Sequence, residues 1–357
     1  MQLFIFEGKY NLLNTHINME FTDWKNLPFG YIRTDYNIRC YYINGEWGKI
    51  EVSDSEYLNI HIAATCLHYG QEAFEGMKAF MGKDGEIRIF RWKDNAKRMR
   101  DTAGGIKLAV VPDELFKEAI FKAIKLNERF VPPYGYGASL YVRPLLIGTG
   151  AEVGVKPAKE YLFLVFVTPV GPYFKEGFGP VDIMICRDFD RAAPLGTGAI
   201  KVGGNYAASL TSLEIAHNLG FATALYLDAK EKKYVDEAGP ANFFGIKKNK
   251  YITPESKSIL PSITNMSLMD MAKDMGMTVE RRPVEVAELP TFDEVGACGT
   301  AAVITPIRKI YDPANNKVYE YCKDGKPGPV SSELYHKLTA IQNGDLADKF
   351  GWIDIIK

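Results

Sequence analysis

The sequence predicts a two-domain α/β (α+β) fold, and three observations carry that expectation. A chain of 357 residues is long for one core of ordinary size. Apolar runs of strand character alternate with stretches of helical period. A stretch rich in Pro and Gly (Pro169, Gly171, Pro172, Gly177, Gly179) separates the two halves. We therefore expect a smaller N-terminal α+β domain over 19–167, a linker over 168–179 and a larger C-terminal α/β domain over 180–357.

The elements follow in order. Tyr41-Tyr42-Ile43-Asn44-Gly45-Glu46-Trp47 reads as a hairpin, because Asn-Gly supplies the positive φ values of a type I′ turn. Ile87 to Phe90 reads as a strand. A helix is expected from Asp94 through Thr102 with Asp94 as its N-cap, and another from Pro112 to about Phe130 with acidic residues in its first turn. Ser139 to Pro144 alternates like a strand, and Tyr161 to Val167 is a continuous apolar run suited to a strand buried on both faces. The second half restarts with a strand from Val181 to Cys186. A helix from Tyr206 to Leu219, ended by Gly220, and a strand from Thr223 to Leu227 come next. Lys247-Lys248-Asn249-Lys250 reads as a hairpin turn, and Thr264 to Asp274 as a helix stopped near Gly276.

Composition narrows the function. Hydrophobic residues make up 46%, with 20 Phe and 20 Tyr, enough to fill cores and to wall an apolar pocket. A formal charge of -1, with Lys and Arg spread along the chain, leaves no electrostatic footprint for nucleic acid or an anionic membrane. Cys40, Cys66, Cys186, Cys298 and Cys322 are far apart and form no C-x-x-C pair, which points to reduced thiols and a cytoplasmic setting. His16, His61, His68, His217 and His336 are scattered too, so no metal site is expected. No apolar stretch reaches the roughly 18 residues of a membrane helix. Met1 to Phe6 is apolar but lacks a basic leader and is broken by Glu7 and Lys9; with Met19 opening a more ordinary globular stretch, residues 1–18 are expected to contribute little to function.

Small-molecule chemistry remains, and Lys201 is its centre. It lies in Gly198-Ala199-Ile200-Lys201-Val202-Gly203-Gly204-Asn205-Tyr206. Small neighbours and a nearby phenol can keep an amine from water, lower its pKa and leave it able to condense with an aldehyde as a Schiff base. Taken alone it reads first as a solvated loop lysine, so the rest of the chain has to decide. Glu237, before the apolar run Ala241 to Phe244, reads alone as a turn glutamate. Buried, it could hold a cofactor's ring nitrogen protonated and make that ring an electron sink. Leu260-Pro261-Ser262-Ile263-Thr264 precedes a helix whose free N–H groups suit a phosphate, although Ser262 or Thr264 could be a plain N-cap. Gly299-Thr300-Ala301-Ala302 offers another turn with free amides, and Arg98 a bidentate charge contact. No Walker motif is present, and Gly148 to Gly154 misses the dinucleotide spacing by one residue, so nucleotide binding is disfavoured.

Several segments then stand in a familiar order. They are His68-Tyr69-Gly70-Gln71-Glu72-Ala73-Phe74-Glu75-Gly76-Met77-Lys78, Tyr141-Val142-Arg143-Pro144, Val170-Gly171-Pro172-Tyr173, Arg191-Ala192-Ala193-Pro194, the Lys201 stretch through Ser209, Glu237 to Phe244 and Gly299 to Ala302. In order and spacing the chain resembles the branched-chain amino acid aminotransferases, fold type IV pyridoxal-phosphate enzymes, from about Trp24 onward. The resemblance implies pyridoxal 5′-phosphate as cofactor and Lys201 as its covalent anchor and proton shuttle. It implies Tyr206 at the phenolic oxygen, Glu237 at the pyridine nitrogen, and Arg98, Ile263, Thr264 and Thr300 at the phosphate. Tyr69, Phe74, Tyr141 and Tyr173 would wall the substrate pocket. Thr300 and Ala301 would offer amides to the α-carboxylate, and Arg143 would receive the side-chain carboxylate of glutamate. Departures from the family pattern are Pro240 for threonine, Ser262 for glycine, Asn265 for arginine, and Ala301 to Thr305 without the paired cysteines of some relatives.

The implied activity is ping-pong transfer of an amino group between L-leucine, L-isoleucine or L-valine and 2-oxoglutarate, in a homodimer with the active site near the subunit interface. The alternatives are D-amino acid transamination or aminodeoxychorismate lyase action on the same fold, or a non-catalytic binding protein.

Overall fold

The computed structural model describes residues 23–173 and 178–357; the expectation for residues 1–18 falls outside them. The apolar runs of the first half become β1 (Asn37–Ile43), β2 (Glu46–Trp47), β3 (Glu51–Ser53), β4 (Glu72–Phe74), β5 (Met77–Met81), β6 (Ile87–Phe90), β7 (Ser139–Gly148) and β8 (Tyr161–Val170). The helices among them are α1 (Thr65–Tyr69), α2 (Trp92–Gly105) and α3 (Asp113–Leu126). The Asn-Gly hairpin is present: Asn44 and Gly45 take φ of 56° and 90°, and Ile43 pairs with Glu46. In β8 nearly every residue is buried, as a continuous apolar run requires. On α3 the buried residues Phe116, Ala119, Ile120, Ala123 and Ile124 recur at helical spacing, and with Met99 and Ala103 of α2 they close one face of the sheet.

The second half holds β9 (Val181–Cys186), β10 (Ala224–Leu227), β11 (Val235–Ala238), β12 (Ala241–Lys247), β13 (Lys250–Thr253), β14 (Thr278–Arg281), β15 (Glu294–Gly299), β16 (Val303–Asp312) and β17 (Lys317–Glu320). Its helices are α4 (Gly203–Ala207), α5 (Leu210–Asn218), α6 (Ile263–Asp274) and α7 (Pro329–Asn343), before a last strand, β18 (Ile353–Ile356). Among the described residues the strands form two nine-stranded sheets. The first runs β18-β6-β5-β7-β8-β1-β2, with β3 beside β1 and β4 beside β7. The second runs β11-β10-β9-β16-β15-β12-β13-β14, with β17 on β16. Because β11 also pairs with β12, the strands from β11 round to β12 close on themselves and leave no edges there. A third apolar cluster joins Phe80 and Phe90 of the first sheet to Phe244, Leu268 and Leu334 of the second half.

Four local expectations need correction. Asp94 is not an N-cap: α2 starts at Trp92 after a left-handed Arg91 (φ 49°), and the Asp94 carboxylate accepts from Arg91 Nε at 2.6 Å. The helix expected from Tyr206 to Leu219 is two, because the Ser209 hydroxyl donates back to the Tyr206 carbonyl (2.7 Å) and competes with the helical ladder. The run expected to end at Val167 stays in the sheet to Val170, where Thr168 and Pro169 face Tyr141 and Leu140 across the ladder. The chain's last strand returns to the first sheet, Ile355 opposite Arg88, although it was expected in the second domain.

Candidate active site

Lys201 sits on the loop entering α4, and that loop is fastened from three sides. Thr102 Oγ1 on α2 accepts from Lys201 N (3.0 Å), and the Lys201 carbonyl accepts from the Phe74 amide (3.2 Å). Asn205 Nδ2 donates to the carbonyls of Thr197 (2.7 Å) and Ile200 (3.1 Å). Lys201 is only partly buried as a residue, yet its amine is the deep end. Nζ donates to the Tyr206 hydroxyl at 2.6 Å and lies 4.5 Å from the centre of the Phe74 ring. Burial lowers its pKa to about 7, with repulsion from Arg98 and Arg143 adding to the effect and Glu75 and Glu237 opposing it. Burial, with the charge of Glu237, holds the Tyr206 phenol well above its ordinary range. The result is an amine that is substantially neutral at neutral pH beside a phenol that stays protonated.

Glu237 on β11 is 2% exposed. Its Oε1 accepts from Leu260 N (2.6 Å), and Oε2 faces Arg191 Nε at 3.4 Å. Burial pushes this carboxyl up to about 7, and Arg191 is the chief opposing influence. Lys201 and Glu237 each feel the charge of the other, and Tyr206 feels that of Glu237.

The anion end is built at the start of α6. Ser262 is the N-cap, its Oγ accepting from Asn265 N at 3.2 Å. That leaves the amides of Ile263 and Thr264 among the first-turn groups with no intrahelical partner. Ile263, Thr264 and Thr300 line one small cavity with Lys78 and Asn95. Asn265 turns inward, accepting from Tyr251 OH (2.7 Å) and donating to Thr253 Oγ1 (2.9 Å). Arg98, expected at the phosphate, also lies at this end. Its Nε and NH2 grip the two oxygens of fully buried Glu75, each at 2.7 Å, and NH1 donates to the Pro261 carbonyl (2.8 Å) just before α6.

Of the residues expected to wall the substrate pocket, Phe74 lies on β4 and Tyr141 on β7, with Arg143 beside it. The Arg143 guanidinium stacks over Phe74 (4.9 Å) and Tyr141 (5.2 Å), and NH2 donates to the Tyr141 hydroxyl at 3.2 Å. Arg143 Nε is buried with no hydrogen-bond partner among the described residues. Tyr173 joins the wall through Phe29, whose ring stands edge-on to Tyr173 (5.1 Å) and to Tyr141 (5.5 Å). Tyr69 is 40% exposed, and its hydroxyl donates to the Val153 carbonyl. Thr300 and Ala301 occupy the tip of the β15–β16 hairpin, where Gly299 pairs with Val303.

Sequence reasoning missed five residues here. Glu75, Glu72 and Lys78 lay inside a quoted segment but had no assigned role, and Arg191 stood in its own segment unread. Glu72 is half-buried, accepts from the Gly203 amide and stands in the field of Arg143. Phe29, within Leu27-Pro28-Phe29-Gly30, carried no signal that periodicity or spacing could supply. Among the described residues no cluster of His, Cys, Asp or Glu is placed to hold a metal ion, and no helix is long and apolar enough to cross a membrane.

These groups fit an aldehyde cofactor with a ring nitrogen and a phosphate. A buried, low-pKa amine, a buried carboxyl and helix-terminal amides are the groups such a cofactor requires. Comparison with known proteins agrees. The profile of the amino-transferase class IV family matches residues 72–310. The branched-chain-amino-acid aminotransferase of Haemophilus influenzae is 48% identical over 342 residues, 94% of this chain and 99% of that one. Its Helicobacter pylori counterpart is 46% identical, over 94% of this chain and 98% of the relative. The branched-chain amino acid aminotransferase structure from Escherichia coli superposes with TM-score 0.74 at 28% identity, covering 91% of this chain and 100% of the other. The Thermobaculum terrenum enzyme in its PLP form shares the fold, with TM-score 0.75 at 23% identity over 91% and 99% of the two chains. With that match spread over both sheets and the site between them, the chain belongs to the class IV aminotransferases, pyridoxal-phosphate enzymes of fold type IV.

Proposed function

We propose that this enzyme transfers the amino group between L-leucine, L-isoleucine or L-valine and 2-oxoglutarate. The observation that carries the substrate choice is Arg143: a buried guanidinium nitrogen without a partner, set between the rings of Phe74 and Tyr141. A pocket that takes an aliphatic side chain in one half-reaction and a carboxylate in the other needs apolar walls with one positive edge. D-amino acid transamination and lyase action on the same fold are the readings to exclude. A panel of L-leucine, L-isoleucine, L-valine, L-glutamate, D-alanine and aminodeoxychorismate tests this. Turnover of the three branched L-amino acids with 2-oxoglutarate is expected, and turnover of D-alanine or aminodeoxychorismate alone would refute it.

Bound pyridoxal 5′-phosphate supplies an electron sink for the negative charge left when the substrate α-carbon loses its proton. The chain's own residues do the rest. Lys201 Nζ would anchor the cofactor and would take the substrate's α-proton, which its lowered pKa permits near neutral pH. Tyr206 steadies that amine and would contact the ring's phenolic oxygen. Glu237, held by Leu260 N and Arg191, would face the ring nitrogen. The amides of Ile263 and Thr264, with Thr300, would hold the phosphate, and the buried Glu75–Arg98 pair braces that end. The amides of Thr300 and Ala301 would receive the α-carboxylate. Both half-reactions use this one site in turn, which gives ping-pong kinetics.

The reading includes cytoplasmic placement, supported by five cysteines that are all free. It includes a division into two domains, 19–167 and 180–357, across the expected 168–179 linker, whose first three residues continue β8, with β18 lent back to the first. It includes a homodimer as well, with Tyr69 as support: an expected pocket residue that is exposed on its own chain is available to a second copy's pocket.

A further inference from the structure

Lys78 is 8% exposed on β5, and its ammonium donates to the Ala301 carbonyl at 3.0 Å, across 223 positions of sequence. A buried ammonium ordinarily has a carboxylate beside it. Among the described residues none pairs with Lys78, and burial alone lowers its pKa, to about 8. The hairpin tip it touches is held in an unusual shape. Thr300, Ala301 and Ala302 close the turn, and Val303 completes it at φ 59°, a left-handed conformation that β-branched residues seldom take and that hairpins of this length usually give to glycine. Such a turn stays in one arrangement only if something outside it holds the peptide planes. A trans peptide carries its N–H opposite its C=O, so a cation pinning the Ala301 carbonyl fixes the plane that carries the Ala302 N–H and leaves only the two torsions at the Ala301 Cα between that plane and the preceding one, which carries the Ala301 N–H.

We propose that Lys78 is a positioning residue for the substrate α-carboxylate: its ammonium locks the Ala301 carbonyl and so restrains the turn residue whose own amide, with that of Thr300, accepts the carboxylate. The proposal rests on the reading of those two amides as the carboxylate site.

The test uses the cofactor-loaded enzyme and two probes of one shape, 4-methylvalerate and its uncharged amide, with binding measured by calorimetry and cofactor affinity measured separately. Lys78→Met, which keeps the stem and removes the charge, should weaken 4-methylvalerate by about tenfold to a hundredfold and leave the amide and the cofactor within about twofold. The KM for leucine should rise by a similar factor with kcat changed far less, and Lys78→Arg should recover most of the loss. Equal weakening of acid and amide, or weakening of the cofactor alone, would overturn the proposal. Should Lys78→Met fail to retain cofactor, Lys78→Gln carries the same comparison. Failure of the underlying reading looks different: the unaltered enzyme would then bind acid and amide equally well.

Discussion

Arg191 connects the two chemical ends of the site. Its Nε lies 3.4 Å from Glu237 Oε2 while its NH2 donates to the carbonyls of Ser258 and, at 2.7 Å, Gly198 in the loop that carries Lys201. One buried side chain therefore fixes where the acid stands relative to the amine, and the pair is expected to act as a unit.

Glu237→Ala should expose that dependence. Removing one member of a buried ion pair strands the other, at about 3–5 kcal/mol of stability. Glu237→Gln keeps an acceptor for Leu260 N and should cost less in a urea melt. Both variants should lose about two to three orders of magnitude in kcat, since neither can hold a ring nitrogen protonated. A Gln variant with near-normal kcat would remove Glu237 from the mechanism.

Lys201→Ala should lose at least about a thousandfold in turnover, because anchor and proton carrier go together. The pH dependence has a definite sign. Burial lowers the amine to about 7, so the neutral, nucleophilic form grows as pH rises through that value. Capture of cofactor by the apo protein, followed by absorbance, should therefore accelerate from about pH 6 to 8 and level off above. A rate that climbs steadily to pH 10 would mean an ordinary, solvated lysine.

Much of this was legible in the sequence, and the gaps have physical causes. Period and turn chemistry placed the Asn44-Gly45 hairpin, the strand at Ile87–Phe90 and the Gly276 stop, because those signals are local. Asp94 misled because its side chain found Arg91, a contact created by a left-handed residue that no propensity marks. The catalytic residue types stood at recognisable spacing, but their partners did not. Arg98 reads as a phosphate ligand with no sign of Glu75, which folds against it from β4's neighbouring turn, and Lys78 meets Ala301 only when the two sheets close. Phe29 enters the pocket purely through packing against Tyr141 and Tyr173.

Arg143→Ala should separate the two substrates. The guanidinium has a spare buried nitrogen for a carboxylate and only apolar stacking to offer an aliphatic chain. A lost charge-assisted hydrogen bond of about 1.5–3 kcal/mol predicts a drop of about ten- to a hundredfold in kcat/KM for glutamate. Leucine should lose less, through the Phe74 and Tyr141 contacts alone. Equal losses would assign Arg143 to packing.

Two glycines give the sharpest steric contrast. A Cβ at Gly76 would overlap the Tyr141 hydroxyl and stand 2.8 Å from Cζ, and that ring is 8% exposed and wedged between Phe29 and Arg143. It has no cheap escape, so Gly76→Ala must displace the pocket wall. Overpacking of about 1–3 kcal/mol should appear as a loss of about 5- to 150-fold in kcat/KM for leucine, mostly through KM. A Cβ at Gly105 would instead meet Ile200 Cδ1 at 2.8 Å, the free end of an aliphatic chain that can rotate away. Alanine also favours the helical conformation over glycine there by up to about 1 kcal/mol. Gly105→Ala should keep its Tm and remain within about threefold of normal activity. If instead Gly105→Ala disables the enzyme while Gly76→Ala is silent, Tyr141 is not the wall that the substrate meets, and the Ile200 contact sets the position of the Lys201 amine more tightly than its hydrogen bonds do.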